Sequence, residues 1–185
     1  MTAARPGDGP LAWNVAGLLA DGPGAERVYE VRDGTIDLGE DLRLAAPIDG
    51  SVRLLRTNRG ILAATDLRTA LDLECSRCLH EVVLPVEVRL QEEFLPSLDL
   101  ATGRPIPTDD EPDVARLTDH HELDLEPAVR DAIIIAEPIA PLCRPDCPGL
   151  CIVCGERLDE GVHDHPADVI DPRLEALRGF RVEDA

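Results

Sequence analysis

Residues 61–90 read ILAATDLRTALDLECSRCLHEVVLPVEVRL, and this stretch holds the clearest structural signal in the chain. Before the two cysteines, apolar side chains or threonines occupy every second position: Ile61, Ala63, Thr65, Leu67, Thr69, Leu71 and Leu73. After SRCLHE the alternation resumes in the opposite parity, at Val82, Leu84, Val86, Val88 and Leu90. A period of two with charged residues between is typical of a strand with one solvated face. The stretch therefore predicts a hairpin of two antiparallel strands whose tip carries Cys75 and Cys78.

Helical periodicity follows in residues 122–138, ELDLEPAVRDAIIIAEP. The apolar residues that recur at the spacing of one helix face are Leu125, Val129, Ala132, Ile133 and Ala136. Acidic residues near the start suit the helix dipole, and Pro138 ends the pattern. Upstream, residues 28–37 and 42–58 predict further short strands. We therefore expect this helix to cover the sheet with its apolar stripe.

Six cysteines and two histidines form a pattern typical of metal binding. The eight residues are Cys75, Cys78, Cys143, Cys147, Cys151, Cys154, His163 and His165. Zinc takes four tetrahedral ligands, usually from closely spaced pairs, and a C-x-x-C turn lets both sulfurs face one ion. Gly155, after the second such turn, lets the chain bend so that backbone amides approach the sulfurs. We expect these residues to hold one or two structural Zn2+ ions.

Two divisions of these donors are open. In the first, the hairpin pair joins Cys143 and Cys147 in a long-range site, and the remaining four residues form a compact local site. In the second, the four cysteines from Cys143 to Cys154 share one ion, and the hairpin pair lies elsewhere. His80 is a spare candidate ligand.

Other interpretations of the same residues compete with structural zinc. The cysteines could be reduced and metal-free, or the C-x-x-C pairs could be redox dithiols, although no thioredoxin-like βαβ pattern surrounds them. A catalytic zinc needs an open coordination position and a nearby acid or base. The candidates for that acid or base are Glu92, Glu93 and His80. His163 and His165 could also lie in an exposed loop among solvated carboxylates, namely Asp159, Glu160 and Asp164.

The composition argues against broad nucleic-acid binding. The 185-residue chain has 37 acidic residues against 18 basic ones, all arginine, for a formal net charge of -19. Gripping a phosphate backbone requires aligned cations, and base stacking requires aromatic rings. The chain has only two Phe, one Trp and one Tyr. A basic protein is the more natural partner for this charge.

The N-terminal sequence MTAARPGDGPLAWNVAGLLADG lacks the features of a secretory signal, because its apolar run is short and contains Asn14. No stretch approaches the roughly 20 apolar residues that span a bilayer. We therefore expect a cytoplasmic protein without a membrane partner. In that reducing compartment, cysteines favour metal or redox chemistry over disulfides.

The chain divides into three expected regions. Residues 1–10 form a flexible tail. Residues 11–140 form a β-rich core domain with a mobile acidic loop at 97–121, which is rich in Pro and Asp and lacks periodicity. Residues 141–185 form the Cys/His metal-binding segment and a C-terminal helix with Asp171 as its N-cap and Pro172 at its first position. The expected fold is α+β: an antiparallel, barrel-like β-sheet of about five to seven strands, a covering helix and a C-terminal zinc-binding appendage.

Three stretches together resemble the YceD family, the large ribosomal RNA subunit accumulation proteins: LECSRCLHEV, LEPAVRDAIIIAEPIAPLCRPDCPGLCIVCG and IDPRLEALRGF. The resemblance covers roughly residues 12–182. Cys75, Arg77 and Cys78 match the hairpin motif of the family. The residues that match its downstream motif are Cys147, Gly149, Leu150, Cys151, Cys154 and Gly155. Where many long-form relatives close with C-x-C, this chain has HDH at residues 163–165. Histidine then replaces cysteine as a ligand, or the second site is degraded.

The resemblance implies a non-enzymatic role in the accumulation of large-subunit ribosomal RNA, hence in ribosome biogenesis, without a small-molecule substrate. The implied partner is a large ribosomal subunit precursor or a basic ribosomal protein, with a limited RNA contact near Arg77 and Arg144. Two other hypotheses remain: a zinc-dependent RNA-processing hydrolase, and a thiol-based redox or zinc-responsive regulator.

Overall fold

The computed structural model describes residues 9–40, 42–99, 102–107, 114–165 and 173–174. These residues form two antiparallel sheets and two helices. In chain order the elements are β1 (Ala12–Asn14), α1 (Ala16–Ala20), β2 (Glu26–Gly34), β3 (Arg43–Arg56), β4 (Ile61–Glu74), β5 (Glu81–Val88), β6 (Gln91–Phe94), β7 (Glu122–Asp124) and α2 (Glu126–Ala136).

The predicted hairpin is confirmed as β4 and β5, which pair antiparallel from Leu67 opposite Val88 to Glu74 opposite Glu81. Along β4 every second residue from Ile61 to Leu73 is buried, so the alternation in the sequence marks the face that enters the core. The first residues of β4, from Ile61 to Ala64, pair antiparallel with β6. Thr65 lies between the two partners, and its hydroxyl donates to the Val88 carbonyl and accepts from the Leu90 amide.

The larger sheet has the strand order β2-β3-β4-β5, with β6 beside β4, and it is open. The expectation of a barrel-like sheet is therefore wrong, although the antiparallel α+β architecture is correct. Closure would require the edge strands to pair with each other, but other elements cover the apolar face instead. The main core combines residues of the sheet with Leu123 of β7, Leu125, and Val129 and Ile133 of α2.

The strand β3 is one continuous element of 14 residues, where the sequence suggested short pieces. Its pairing with β4 shifts register between Leu44 and Ala46 and again between Ala46 and Asp49. These irregularities accommodate Pro47, which cannot donate to a ladder, and interrupt the sequence pattern. At Gly50 a Cβ atom would lie 2.2 Å from the Asp66 carbonyl oxygen, so only glycine permits this close approach to β4.

The helix α2 is shorter than its sequence pattern because residues 122–124 form β7, which pairs with β1. A side-chain oxygen of Asp124 accepts a hydrogen bond from the Glu126 amide at 2.9 Å, and the helix ends before Pro138. Val129 and Ile133 are fully buried, so the apolar stripe covers the core as expected.

Three segments contain residues outside those described. Of the tail, residues 1–8 lie outside; of the acidic loop, residues 100–101 and 108–113 lie outside; of the C-terminal helix, only Arg173 and Leu174 are described. Within the loop, the Ile106 amide donates to the Ser97 carbonyl at 2.9 Å, and the Leu117 amide donates to the Leu95 carbonyl at 3.0 Å. Among the described residues, none of the helices has the length and apolar character that crossing a lipid bilayer requires.

Candidate metal centres

Four thiols meet at the tip of the β4–β5 hairpin: Cys75, Cys78, Cys143 and Cys147. Their sulfur atoms all lie within 4.8 Å of one another, and we call this set the hairpin cluster. The Cys75 and Cys147 sulfurs are 3.8 Å apart, and the Cys78 and Cys143 sulfurs are 3.7 Å apart. Cys75, Cys78 and Cys147 are buried in a small apolar cluster separate from the main core. The hairpin cluster could hold a metal ion.

The turn after β4 presents the first two sulfurs. The Cys75 amide donates to the His80 carbonyl at 2.8 Å, and the Leu79 amide donates back to the Cys75 carbonyl at 2.9 Å. Leu79 adopts a left-handed conformation with φ of 57° to close this turn. The Ser76 amide donates to the Pro141 carbonyl at 2.8 Å, which ties the segment after α2 to the hairpin tip.

Hydrogen bonds from backbone amides lower the pKa of a thiol in this cluster, whereas burial raises it. A hydrogen bond from the Cys143 amide, with weaker ones from Arg77 and Cys78, lowers the pKa of Cys75 to about 6. Burial raises the pKa of Cys143 to about 12. One thiolate is thus favoured, while the crowding of four sulfurs opposes further ionisation. A bound cation would relieve that opposition, because metal ligation requires deprotonated thiols.

Arg77 links the two halves of the hairpin cluster. Its Nη1 atom donates to the Cys147 carbonyl at 2.9 Å. Gly149, which is buried and has a φ of +84°, approaches the same residue: a Cβ there would lie 3.2 Å from the Arg77 carbonyl oxygen. Arg144, the other arginine considered for RNA contact, pairs with Asp146 at 3.5 Å and with Asp159 at 3.0 Å. Both arginines therefore have partners within the chain, a role that the sequence pattern did not indicate.

A second set of four donors lies further along: Cys151, Cys154, His163 and His165. Their ligand atoms also lie within 4.8 Å of one another, and we call this set the distal cluster. The Cys154 sulfur is 3.5 Å from Nδ1 of His163, while Nε2 of His163 lies 2.8 Å from the Arg157 carbonyl oxygen. A carbonyl only accepts, so Nε2 carries the proton and Nδ1 offers its lone pair to the cluster. A metal-ligating histidine is normally oriented by such a hydrogen bond.

His165 supplies an independent sign of an absent partner. Within the described part of the chain, its buried Nε2 atom has no hydrogen-bond partner. Buried ring nitrogens are normally hydrogen-bonded or bound to a metal. The distal cluster therefore fits a metal ion through its donor types, its spacing and this unpaired nitrogen.

The turn at Cys151 repeats the turn at Cys75. The Cys151 amide donates to the Glu156 carbonyl at 2.7 Å, and the Gly155 amide donates to the Cys151 carbonyl at 2.8 Å. Gly155 has a φ of 75°, in the position that Leu79 occupies in the first turn. Hydrogen bonds from the Cys154 and Val153 amides lower the pKa of Cys151 to about 6. Both C-x-x-C turns thus aim backbone amides at their first sulfur.

Asp159 bridges the two clusters through arginines. Its carboxylate lies 2.9 Å from Arg157 and 3.0 Å from Arg144, with 21% of its side chain exposed. The hydrogen bond from Arg157 lowers the pKa of Asp159 to about 2. Asp159 is therefore not the ordinary solvated charge that the competing interpretation of an exposed loop assumed.

The structure divides the eight predicted residues as in the first of the two arrangements. The four cysteines from Cys143 to Cys154 are split between the clusters rather than gathered in one. Among the described residues, His80 belongs to neither cluster. Glu92 and Glu93, nominated for catalysis, lie on β6 opposite Ala63 and Leu62, near the start of β4 and thus at the far end from the hairpin tip.

Comparisons with known proteins identify one family and several relatives. The sequence model of the family described as "Large ribosomal RNA subunit accumulation protein YceD" matches residues 64–181, which include all eight donors. An uncharacterized protein of Mycobacterium tuberculosis and one of Mycobacterium bovis are each 35% identical over 183 residues, covering 95% of this chain and 84% of theirs. An uncharacterized protein of Mycobacterium leprae is 36% identical over 129 residues, covering 69% of this chain and 56% of its own. No solved structure matches this chain.

Proposed function

The chain belongs to the YceD family of large ribosomal RNA subunit accumulation proteins, and from this premise we propose that it is a non-catalytic assembly factor of the large ribosomal subunit, held in shape by two structural zinc ions. Membership in the family implies a role in ribosomal RNA accumulation.

The observation that carries the proposal is the spacing of the donors. Zinc–sulfur bonds of about 2.3 Å at tetrahedral angles place two sulfurs about 3.8 Å apart, and a sulfur and a nitrogen about 3.5 Å apart. The sulfur–sulfur distances in the hairpin cluster are 3.8 Å and 3.7 Å. The sulfur–nitrogen distance in the distal cluster is 3.5 Å. Thiolate and imidazole donors at this spacing favour zinc over harder cations.

A structural role follows from the number of donors. Each cluster offers four protein ligands, which is the full tetrahedral set of a structural site, whereas a catalytic zinc usually keeps one position for water or substrate. In the hairpin cluster an ion would join residues 143 and 147 to the tip of the main sheet. In the distal cluster it would close a short local loop.

The partner that best fits the charge is a basic protein of the large subunit. With 37 acidic residues against 18 arginines, the surface attracts cationic proteins and repels phosphate. Ribosomal RNA would then accumulate because the factor supports assembly of the particle, and not because it grips RNA over a broad face. The involvement of Arg77 and Arg144 in contacts within the chain also supports a limited role for direct RNA contact.

Measurements on the full chain and in cells test this proposal. Elemental analysis should find about two zinc ions per chain, and about one after a His163→Ala/His165→Ala double substitution. Sedimentation of cell extract should find the protein with precursors of the large subunit, and its depletion should lower large-subunit ribosomal RNA. A protein absent from those fractions, with unchanged ribosomal RNA after depletion, would contradict the assembly role.

A second candidate function is a thiol-based zinc-responsive regulator, and the exposure of the distal cluster favours it. Cys154 is exposed, and hydrogen bonds from neighbouring amides lower the pKa of the buried Cys151 in the same turn to about 6, which favours its thiolate at neutral pH. Solvent exposure and thiolate character both promote oxidation, and this turn combines them in two adjacent ligand positions. Peroxide at physiological levels should release zinc from the distal cluster before the buried hairpin cluster. Retention of both ions would count against this role.

A further inference from the structure

A groove of about 610 Å³ lies between α2 and β6, away from both clusters. One wall is the flank of α2 that carries Ala128, Ala132 and Ile135, residues that lie on one face of the helix. The other wall is formed by Leu90 and Phe94. The groove is therefore a largely apolar depression beside a helix.

Small side chains leave the groove open, and one large apolar side chain that lines it is exposed to solvent. Alanines at residues 128 and 132 remove the bulk that would otherwise fill the space against β6. Ile135 is 83% exposed although its neighbour Ile133 is fully buried. An exposed isoleucine beside an apolar groove is a feature of surfaces that bind another chain.

The charges around the groove restrict what can occupy it. Three carboxylates line it, those of Glu92, Asp124 and Asp131, against the single guanidinium of Arg116. A second copy of this chain would bring the same carboxylates and a further charge of -19 into contact with them. A phosphate backbone would meet the same repulsion. A segment that carries lysine or arginine beside an apolar side chain complements both features.

Arg116 contributes a separate observation. Among the described residues, its buried Nη1 atom has no hydrogen-bond partner. Unpaired buried donors are uncommon in folded proteins. Arg116 also lines the groove, so a bound segment would bring backbone carbonyls, which are acceptors, next to this guanidinium.

We propose that this groove is the docking site for a basic amphipathic segment of a protein, which inserts one large apolar side chain between α2 and β6. Its lysines or arginines face the carboxylates that line the groove. The inference rests on the proposed function for the source of the segment, a protein of the large ribosomal subunit.

The test uses the zinc-loaded full chain and an array of overlapping synthetic peptides, about 15 residues each, that covers the large-subunit ribosomal proteins of the same organism. The wild type should bind peptides that combine a large apolar residue with flanking lysine or arginine. Ile135→Glu replaces the apolar contact with a charged group beside the inserted apolar side chain, which should weaken the contact. Ala128→Leu fills the groove while preserving helix propensity. Each should weaken binding of those peptides at least about tenfold.

A matched control is available shortly after the end of α2. Ile139 is fully exposed and does not line the groove, so Ile139→Glu introduces the same charge elsewhere and should leave binding unchanged. Zinc content and thermal unfolding of each variant establish that it folds. If Ala128→Leu does not fold, Ile135→Glu decides the question, because residue 135 is exposed.

Peptide binding that is unchanged in Ile135→Glu would overturn the proposal. So would a wild-type dimer in sedimentation velocity that Ile135→Glu abolishes, since the groove would then accommodate a second copy. If the wild type and Ile135→Glu sediment equally with large-subunit precursors, the docking site is wrong and the proposed function stands. If the wild type does not sediment with them, the proposed function is wrong, while the peptide array still judges the groove.

Discussion

The hairpin cluster and the distal cluster use the same local turn for different purposes. In both, the first cysteine amide donates to a carbonyl five residues on, and a residue with positive φ closes the turn. In the hairpin cluster the paired sulfurs are 65 and 72 residues apart in sequence, and three of the four residues are buried. In the distal cluster the paired donors are 9 residues apart, and Cys154 is exposed. The same type of turn thus brings together donors from distant parts of the chain in one place and donors from one short stretch in the other.

This difference predicts unequal contributions to stability. A cross-link between distant residues removes more conformational freedom from the unfolded chain than one between neighbours. The hairpin cluster also has its own small apolar surroundings, whereas the apolar side chains of Ile152 and Val153 in the distal turn are exposed. We expect the hairpin ion to stabilise the whole domain and the distal ion to order only residues 149–165.

The largest expected effect is that of Cys75→Ser. Removing this buried ligand should cost on the order of 4 kcal/mol or more of unfolding free energy, the range for loss of a metal cross-link. Urea denaturation in the presence of zinc measures the loss, and limited proteolysis should detect cleavage within residues 138–150. Ser76→Ala, at an exposed position of the same turn, is the control. Unchanged proteolysis of residues 138–150 in Cys75→Ser would contradict the cross-link.

The next largest loss of stability is expected for Gly149→Ala, which tests the close approach of Gly149 to Arg77. A left-handed conformation costs a residue with a Cβ atom about 1–2 kcal/mol, and the contact with the Arg77 carbonyl adds to that cost. Gly155→Ala has a similar φ but no atom within 4 Å of its Cβ, so it should lose only the conformational part. Thermal unfolding of both variants gives the comparison. Equal losses would mean that the approach of Gly149 to Arg77 is unimportant.

A smaller global effect is expected for His163→Ala. This variant should lose the distal zinc but less than about 1 kcal/mol of unfolding free energy, because the loop it closes is short. Elemental analysis together with urea denaturation separates the two quantities. A loss as large as that of Cys75→Ser would show that the clusters act as one unit.

The smallest expected effect is a pH-dependent loss of stability on substitution of Asp159. The pKa of this carboxyl is lowered to about 2 from its ordinary 3.8, so its pairing with Arg157 stabilises the fold above pH 3.8 and is lost as the pH falls towards 2. Asp159→Asn should be less stable than the wild type at pH 5 to 6, and the difference should shrink in acid. The free energy of unfolding of the two proteins is compared at each pH, so that any metal release in acid that is common to both cancels in the difference. A difference independent of pH would argue against the ion pair.

The comparison also separates what was predictable from what was not. Three features were predictable from the sequence: the β4–β5 alternation, the hairpin tip at Cys75 and Cys78, and the helical stripe of α2. They were predictable because periods of two and 3.6 residues are properties of short segments. The eight donors could be named for the same reason, since C-x-x-C and H-x-H are local spacings. The division of those donors into two complete sets of four is preferred, but the rival division stays open because local spacing does not say which distant cysteines meet.

The remaining features depend on residues far apart in the chain meeting. Whether residues 143 and 147 reach the hairpin depends on where α2 ends and on how the Ser76 amide meets Pro141. The continuity of β3 through Pro47, the open edge of the sheet and the groove beside Ile135 likewise arise from packing between distant segments. A linear pattern specifies which faces are apolar and which side chains can bind a metal. It does not specify which faces and donors meet, because that choice minimises the free energy of the whole folded domain.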